Sequence, residues 1–428
     1  MEKNSNYPLK TVLLTFILGG ILVIVSSWNF EGEFSESFVV RVTNQMKRNR
    51  SNVMVFIPSE KIKAIRSDFN SKAFIVADGE TELASQFNKT DKEFNGIVVV
   101  IDNLKAGASK DLTIQYNKSG EISRQYPKKT QAELSSKVNG EWKGREYIGG
   151  EFKNIDYLRV PKEHKDHSWF LRYEGPGWES DKVGYRFYLD QRNATDVFGK
   201  KVSEPVLQKV GLDGFDSYHE MQPWGMDVMK TGKALGVGSL GMWVNNAATR
   251  VEFTDSVISK IDENGNVFSS ILTKYYGWKA GNEMLDVSSR LSIHAGTRLT
   301  NNQFDFSKDS ENLCTGIVKD VKGKLFTKQG DDKSWGYIAS YGPQSLNKDN
   351  LGVAVLFAPK NFSGFTSDEF SQVVKLKSLD HKLQYYFLGA WEGEPGGIKT
   401  EAEFLDYLND VANQLAQPVT VQILKSKK

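Results

Sequence analysis

Short runs of β-forming, apolar-rich residues recur along almost the whole chain, and only one stretch replaces them with helical spacing. A chain patterned in this way must bury its apolar faces between packed sheets, because one strand or one hairpin cannot bury enough surface to be stable in water. Five such runs, at 38–43, 53–57, 73–77, 96–101 and 111–116, are separated or followed by turn residues at Asp78-Gly79, Gly107 and Ser119-Gly120. This spacing predicts a small β-sandwich over 34–125. The polar stretch at 126–150 reads as a linker, with a short helix expected at 131–137.

Further runs follow at 183–189, 251–254, 267–276, 285–294, 351–358, 383–388 and 419–424. They predict a large antiparallel β-supersandwich over 151–428, so the fold class is mainly β with few helices. In 183–189, strict alternation sends Tyr185, Phe187 and Leu189 to one face and Arg186, Tyr188 and Asp190 to the other. The one clear helix is 400–415. Thr400 and Glu403 form a capping box, and Phe404, Leu405, Leu408, Val411 and Leu415 form its buried stripe.

At the N-terminus, Lys3 and Lys10 precede an apolar run at 11–25, a secretory pattern that is marginal in length for a membrane span. Residues 1–30 are therefore expected to be a signal peptide or a single membrane anchor. The protein is expected to be exported, periplasmic or anchored facing the periplasm.

Composition removes several function classes. A net charge of +2 does not provide the basic face that bulk nucleic-acid binding needs. The single cysteine, Cys314, rules out an internal disulfide or a cysteine-based zinc site. There is no Walker A sequence, no GxSxG and no HExxH, and the Gly-rich 236–241 stretch lacks the βαβ unit that a nucleotide loop requires. Aromatic residues make up 12% of the chain, which suits β-sheet cores and also stacking on sugar rings.

Chemistry-bearing residues concentrate between Trp169 and Asp227. His219 lies in Tyr218-His219-Glu220, close to Trp224 and Asp227. A histidine with a neighbouring carboxylate is the side chain best suited to moving protons near neutral pH. Its alternative is a hydrogen-bonded structural histidine. His294 ends a strand that also carries Arg290, and Arg298 follows it. It is read either as a second acid/base group or as a sheet-edge histidine. His164 and His167 lie in a charged loop with no strong metal-ligand spacing, so neither metal nor cofactor is expected. Trp178, Glu179 and Asp181 sit in a tight turn, where the two acids could form a hydrolase pair or simply be solvated. Lys182, Arg186 and Arg192 could grip a carboxylate or sulfate, or pair with Glu179, Asp190 and Asp196.

Three segments, GPGWESDKVGYRFYLD (175–190), DVFGKK (196–201) and DGFDSYHE followed by WGMD (213–227), resemble an exported family of polysaccharide-degrading bacteria filed as a domain of unknown function. In function the resemblance points to ulvan oligosaccharide dehydration. It implies an anionic partner, an oligosaccharide ending in glucuronate or iduronate linked to sulfated rhamnose, from which water leaves across C4 and C5. Such an elimination needs a cation or a protonated acid against the sugar carboxylate, a base for the C5 proton and an acid for the departing hydroxyl. Under this reading His219 is the base or acid, with Tyr218 or His294 as its counterpart. Arg186, Lys182 or Arg298 holds the carboxylate, Trp178 or Trp224 is the sugar platform, and Glu220 or Asp227 orients His219. The rival classes are a glycoside hydrolase using Glu179 with Asp181 or Glu220, a polysaccharide lyase, and a non-catalytic glycan-binding protein.

Overall fold

Hydrogen-bonded strands dominate the computed structural model, which describes residues 34–214 and 217–424. The N-terminal segment expected to direct export lies outside the described residues. Among these, no helix is long and apolar enough to cross a membrane.

The first runs fold as expected. Glu36–Thr43, Phe74–Asp78 and Ser109–Tyr116 belong to a five-stranded sheet, and Arg50–Pro58, Ser85–Asn88 and Gly96–Leu104 form a three-stranded one. Their inward faces meet in a core of Val40, Val42, Val55, Ile57, Val99 and Ile114, all essentially fully buried. The fifth strand of the larger sheet comes from the far end of the chain. Thr420–Ile423 pairs antiparallel with Glu36–Thr43, placing Val40 opposite Ile423.

The expected linker is structured. Thr130–Glu133, Ser135–Lys143 and Glu146–Asn154 are strands, and 131–137 is not helical. Its polar composition misled the reading because the last two pair as an exposed hairpin, which needs no continuous apolar face. Thr130–Glu133 is instead the edge of a buried sheet, where its polar side chains find partners.

The remainder is built from a nine-stranded antiparallel sheet and two five-stranded sheets. The principal core lies between them, with Trp178, Tyr185, Val197, Tyr385 and Phe387 at its centre. The helix Glu401–Ala416 covers the outer face of the large sheet through Phe404, Leu408 and Val411. Its capping box is formed: Glu403 N–H donates to Thr400 Oγ1 at 3.2 Å and Thr400 N–H donates to Glu403 Oε2 at 3.1 Å. Such a pair satisfies two helix-end donors that water would otherwise have to reach.

One five-stranded sheet sets up the site. Its order is Gly225–Asp227, Thr195–Lys200, Val183–Phe187, Gly177–Ser180 and Thr130–Glu133. Register places Trp178 beside Tyr185 and Tyr185 beside Val197, so all three point into the principal core. Trp178 is 1% exposed, stacks on Tyr185 at 5.5 Å, and donates Nε1–H to Thr300 Oγ1 at 2.8 Å. It cannot serve as a sugar platform, because no face of the ring reaches solvent. Trp178→Ala is expected to destabilise the fold by about 3–5 kcal/mol through the cavity it leaves, read as a lowered denaturant midpoint.

Candidate active site

The other face of this sheet carries the alternating partners Glu133, Glu179, Arg186, Asp196, Phe198, Lys200 and Asp227. Instead of facing water, they are roofed by the segments 166–175, 202–214 and 217–224. The roof meets the sheet at Tyr173, Phe198, Leu207 and Tyr218, with Trp169 and Trp224 half-buried against them. Gly177 is needed here, since a Cβ would come within 2.9 Å of the Tyr173 ring. Charges in such a layer must be paired, because an uncompensated buried charge costs several kcal/mol.

Two of the pairs hold structure only. Lys200 Nζ donates to Glu179 Oε2 at 2.6 Å, and Val206 and Leu207 N–H donate to Oε1 at 2.8 and 2.9 Å. Both side chains are completely buried. Glu179 therefore neither binds sugar nor forms a hydrolase pair with Asp181, whose Oδ1 is held by Gly296 N–H at 2.5 Å. Arg172 and Glu133 form the second buried pair.

The third cluster is centred on Arg186. Its Nη2 donates to Asp196 Oδ2 at 2.8 Å and to Asp227 Oδ2 at 2.6 Å, and its Nη1 donates to Tyr218 Oη at 2.8 Å. Glu174 Oε2 lies 3.7 Å from Nη1, and Tyr188 Oη–H donates to Asp196 Oδ2 at 2.6 Å. Arg186 is thus occupied on every side and buried, and it holds carboxylates of the protein rather than one of a substrate. Burial opposes its charge, but the ring hydroxyls and carboxylates around it more than offset this and raise its pKa. Burial, with Asp196 close by, pushes the Asp227 carboxyl well above the usual range. Burial likewise raises Glu174 and the Tyr218 phenol.

His219 sits at the open edge of this cluster. Its side chain is 46% exposed, yet Nε2 lies 3.6 Å from Asp227 Oδ2, which is 2% exposed. Its ring also packs on that of Tyr218 at 4.6 Å. Asp227, rather than the exposed Glu220, is therefore the orienting carboxylate. Tyr218 is 1% exposed and bound to Arg186, so it supports the ring of His219 and does not reach a ligand. Trp224 stands edge-on to Phe198 at 5.8 Å and remains available at the rim.

The structure does not bring His294, Lys182 and Arg298 to this cluster. His294 lies on the nine-stranded sheet, its Nδ1 on Ala295 O at 2.9 Å, and burial lowers its pKa. Arg298 is tied to Glu394 and lies over the Tyr407 ring at 5.2 Å. Lys182 is close enough to Glu394 to influence its ionisation. In place of His294, the cluster contains His167. Its Nδ1 lies 2.6 Å from Asp166 Oδ1, and its backbone N–H donates to Glu174 Oε1 at 3.4 Å. Arg192 ties this side together, with Nη1 2.9 Å from Asp166 and Nη2 2.5 Å from both Glu174 and Asp190. Its neighbour His164 is buried on Ser168 Oγ at 2.7 Å, and burial lowers its pKa to about 4.

Backbone conformation marks the same loop. His167, Trp169, Tyr173 and Glu174 all have positive φ, at 56°, 61°, 38° and 73°. Each is costly for a residue with a Cβ, on the order of 1 kcal/mol, and such strain gathers where side chains must be aimed. The ligand atoms of Asp166, His167 and Glu174 lie within 4.8 Å of one another, the spacing of a metal site. Arg192 already neutralises both carboxylates, so the donor set does not call for a cation. Sequence reasoning set His167 aside because a charged loop usually faces water, gave Glu174 no role, and named Arg192 only as an anion grip or an ion-pair partner. The signal that could have found His167 and Glu174 is their place just before Gly175, where the first resembling segment starts.

The family described as a domain of unknown function (DUF4861) matches residues 42–421. No curated protein matches the chain. Two solved structures are similar over 92% of it, a protein in the glycosyl hydrolase family 38 from Enterococcus faecalis and an alpha-mannosidase from Enterococcus faecalis V583, at 7% and 8% identity. The chain covers 48% and 47% of them, about half their length, with a TM-score of 0.44 in each case. A likeness at that level says nothing about activity.

Proposed function

The chain belongs to the DUF4861 family, and from that premise we propose that it is an oligosaccharide dehydratase, eliminating water across C4 and C5 of a uronate at the non-reducing end of an ulvan oligosaccharide. The observation that carries the reading is the exposed ring of His219 held against buried Asp227, itself fixed with Tyr218 by Arg186. Two of the three resembling segments supply all four of these residues.

In this reading His219 takes the C5 proton through Nδ1, its other nitrogen being directed at Asp227. The electrons of the C5–H bond form the C4–C5 double bond, and the C4–O bond breaks. His167, backed by Asp166, gives a proton to the departing hydroxyl, which leaves as water. The sugar carboxylate lies at the guanidinium edge of Arg192, whose side chain is 17% exposed where that of Arg186 is 3% exposed, and shares it with Asp166, the most exposed of its carboxylate partners. Pairing with the substrate lowers the charge on that carboxylate and makes the C5 proton easier to remove. Trp224 or Trp169 forms the sugar platform. The protein acts after export, on an anionic substrate, as its N-terminal sequence suggests.

One incubation with saturated, uronate-ended ulvan oligosaccharides tests the reaction. Loss of one water with the chain intact supports dehydration. Shortened saturated products mean hydrolysis, and shortened products with an unsaturated end mean a polysaccharide lyase. The division of roles has its own test. His167→Ala should lower the rate of elimination by about 10²-fold, a usual scale for losing one proton-transfer group, and remove one limb of the pH–rate profile. An unchanged profile would assign the leaving-group proton to another residue.

A further inference from the structure

A cavity of about 460 Å³ lies between the first sandwich, the nine-stranded sheet and the helix Glu401–Ala416, and it shares no residue with the His219 cluster. Its size is that of a small-molecule site, and junctions between structural units are common places for such sites. Two aromatic side chains form adjacent walls, Trp335 and Tyr386, with ring centroids 5.6 Å apart and planes at 68°. The same lining includes Asn301, Gln384 and His294 from the sheet and Gln414 from the helix.

The hydrogen bonds of these four groups are arranged with capacity left over. Gln384 Nε2 donates to Asn301 Oδ1 at 2.8 Å and to Tyr386 Oη at 3.2 Å. Gln414 Nε2 donates to Asp410 Oδ2 at 2.6 Å. Among the described residues, Asn301 Nδ2, Gln384 Oε1 and Gln414 Oε1 have no protein partner. His294 places Nδ1 on a backbone carbonyl, so Nδ1 carries the hydrogen and Nε2 is an acceptor. The lining contains no carboxylate, and its one guanidinium, that of Arg50, is engaged by Asn44 and the Gln417 carbonyl. Neutral groups that both donate and accept, set beside flat apolar rings, match the alternating hydroxyls and C–H faces of a pyranose. They do not match a phosphate, which would need cations or several free N–H donors.

We propose that this cavity is a second saccharide-binding cleft, which holds uncharged pyranose units on Trp335 and Tyr386 and reads their hydroxyls through Asn301, Gln384 and His294. It would anchor the polymeric part of a glycan and does not depend on what happens at His219.

The test uses the full chain carrying His219→Ala, so that turnover and binding are separated. Calorimetric titration is made with two probes, a uronate-ended sulfated ulvan tetrasaccharide and neutral xylotetraose. The expected result is that at least one binds, and that adding Trp335→Ala or Gln384→Ala weakens its binding at least tenfold, while circular dichroism is unchanged. The single variant Trp335→Ala should keep its rate of double-bond formation on the shortest oligosaccharide. Binding of neither probe, or binding indifferent to both substitutions, overturns the cleft. Failure of the proposed reaction is read separately, as absence of unsaturated product from the unsubstituted protein.

Discussion

His219→Ala lowers the rate of double-bond formation on uronate-ended ulvan oligosaccharides by about 10³-fold, the scale expected when a positioned general base is lost. Because the side chain is at the surface, with 46% of it exposed, the fold should survive. The measurement is the growth of ultraviolet absorbance from the C4–C5 double bond, with circular dichroism as the control. Asp227→Asn gives a distinguishing second variant. It keeps the shape but offers one acceptor oxygen where the carboxylate uses two, for Arg186 and for Met229 N–H, and it removes the charge that stabilises a protonated imidazole, so its loss should be smaller and its pH–rate profile displaced to lower pH. A His219→Ala variant that turns over normally would remove this histidine from the mechanism.

The second large effect is on stability. Arg186→Met should destabilise the protein by about 4 kcal/mol, as expected when one partner is removed from a buried ion network. Asp196 and Asp227 would remain in a dry layer without their guanidinium, and Glu174 would keep only Arg192. The sign of the pH dependence follows from this. Without the guanidinium, the folded-state pKa values of Asp227 and Glu174, already raised by burial, rise further above their unfolded values. The folded protein then binds protons that the unfolded chain has released, so stability falls as pH rises. Urea unfolding of the variant should therefore show a smaller deficit at pH 4 than at pH 8. Equal deficits would mean that the network contributes through packing alone, for instance through the Tyr188, Phe198 and Tyr218 rings around the guanidinium.

Alternation made much of this architecture legible. Tyr185 and Phe187 were assigned to one face and Arg186 to the other by period alone, and the sheet places them so. The capping box at Thr400 was equally readable, because it is a local event within four residues. What period could not convey is that both faces of this sheet are covered. A strand with charges on one side normally shows that side to water. Here the charged face is roofed, so Glu179, read as half of a hydrolase pair or as solvated, holds the roof in place, and Arg186 takes its alternative reading as a partner of Asp196. The same gap hid His167. Its approach to Glu174 depends on a loop with four non-glycine residues at positive φ, and no local propensity predicts such a loop. His294 was misplaced for a different reason: a histidine at a strand end looks the same in sequence whichever sheet it joins.

The pairing of Thr420–Ile423 with Glu36–Thr43 makes the order of synthesis matter. The sheet is completed by a strand that follows its first one by about 380 residues, all of which must be made before that outer strand can dock. Until then Glu36–Thr43 is an open edge whose backbone donors and acceptors invite pairing with another chain. A protein made this way closes like a clasp. Two strands about 380 residues apart are held in one hydrogen-bonded ladder, and cutting off Thr420–Ile423 would loosen the domain most distant from it in sequence.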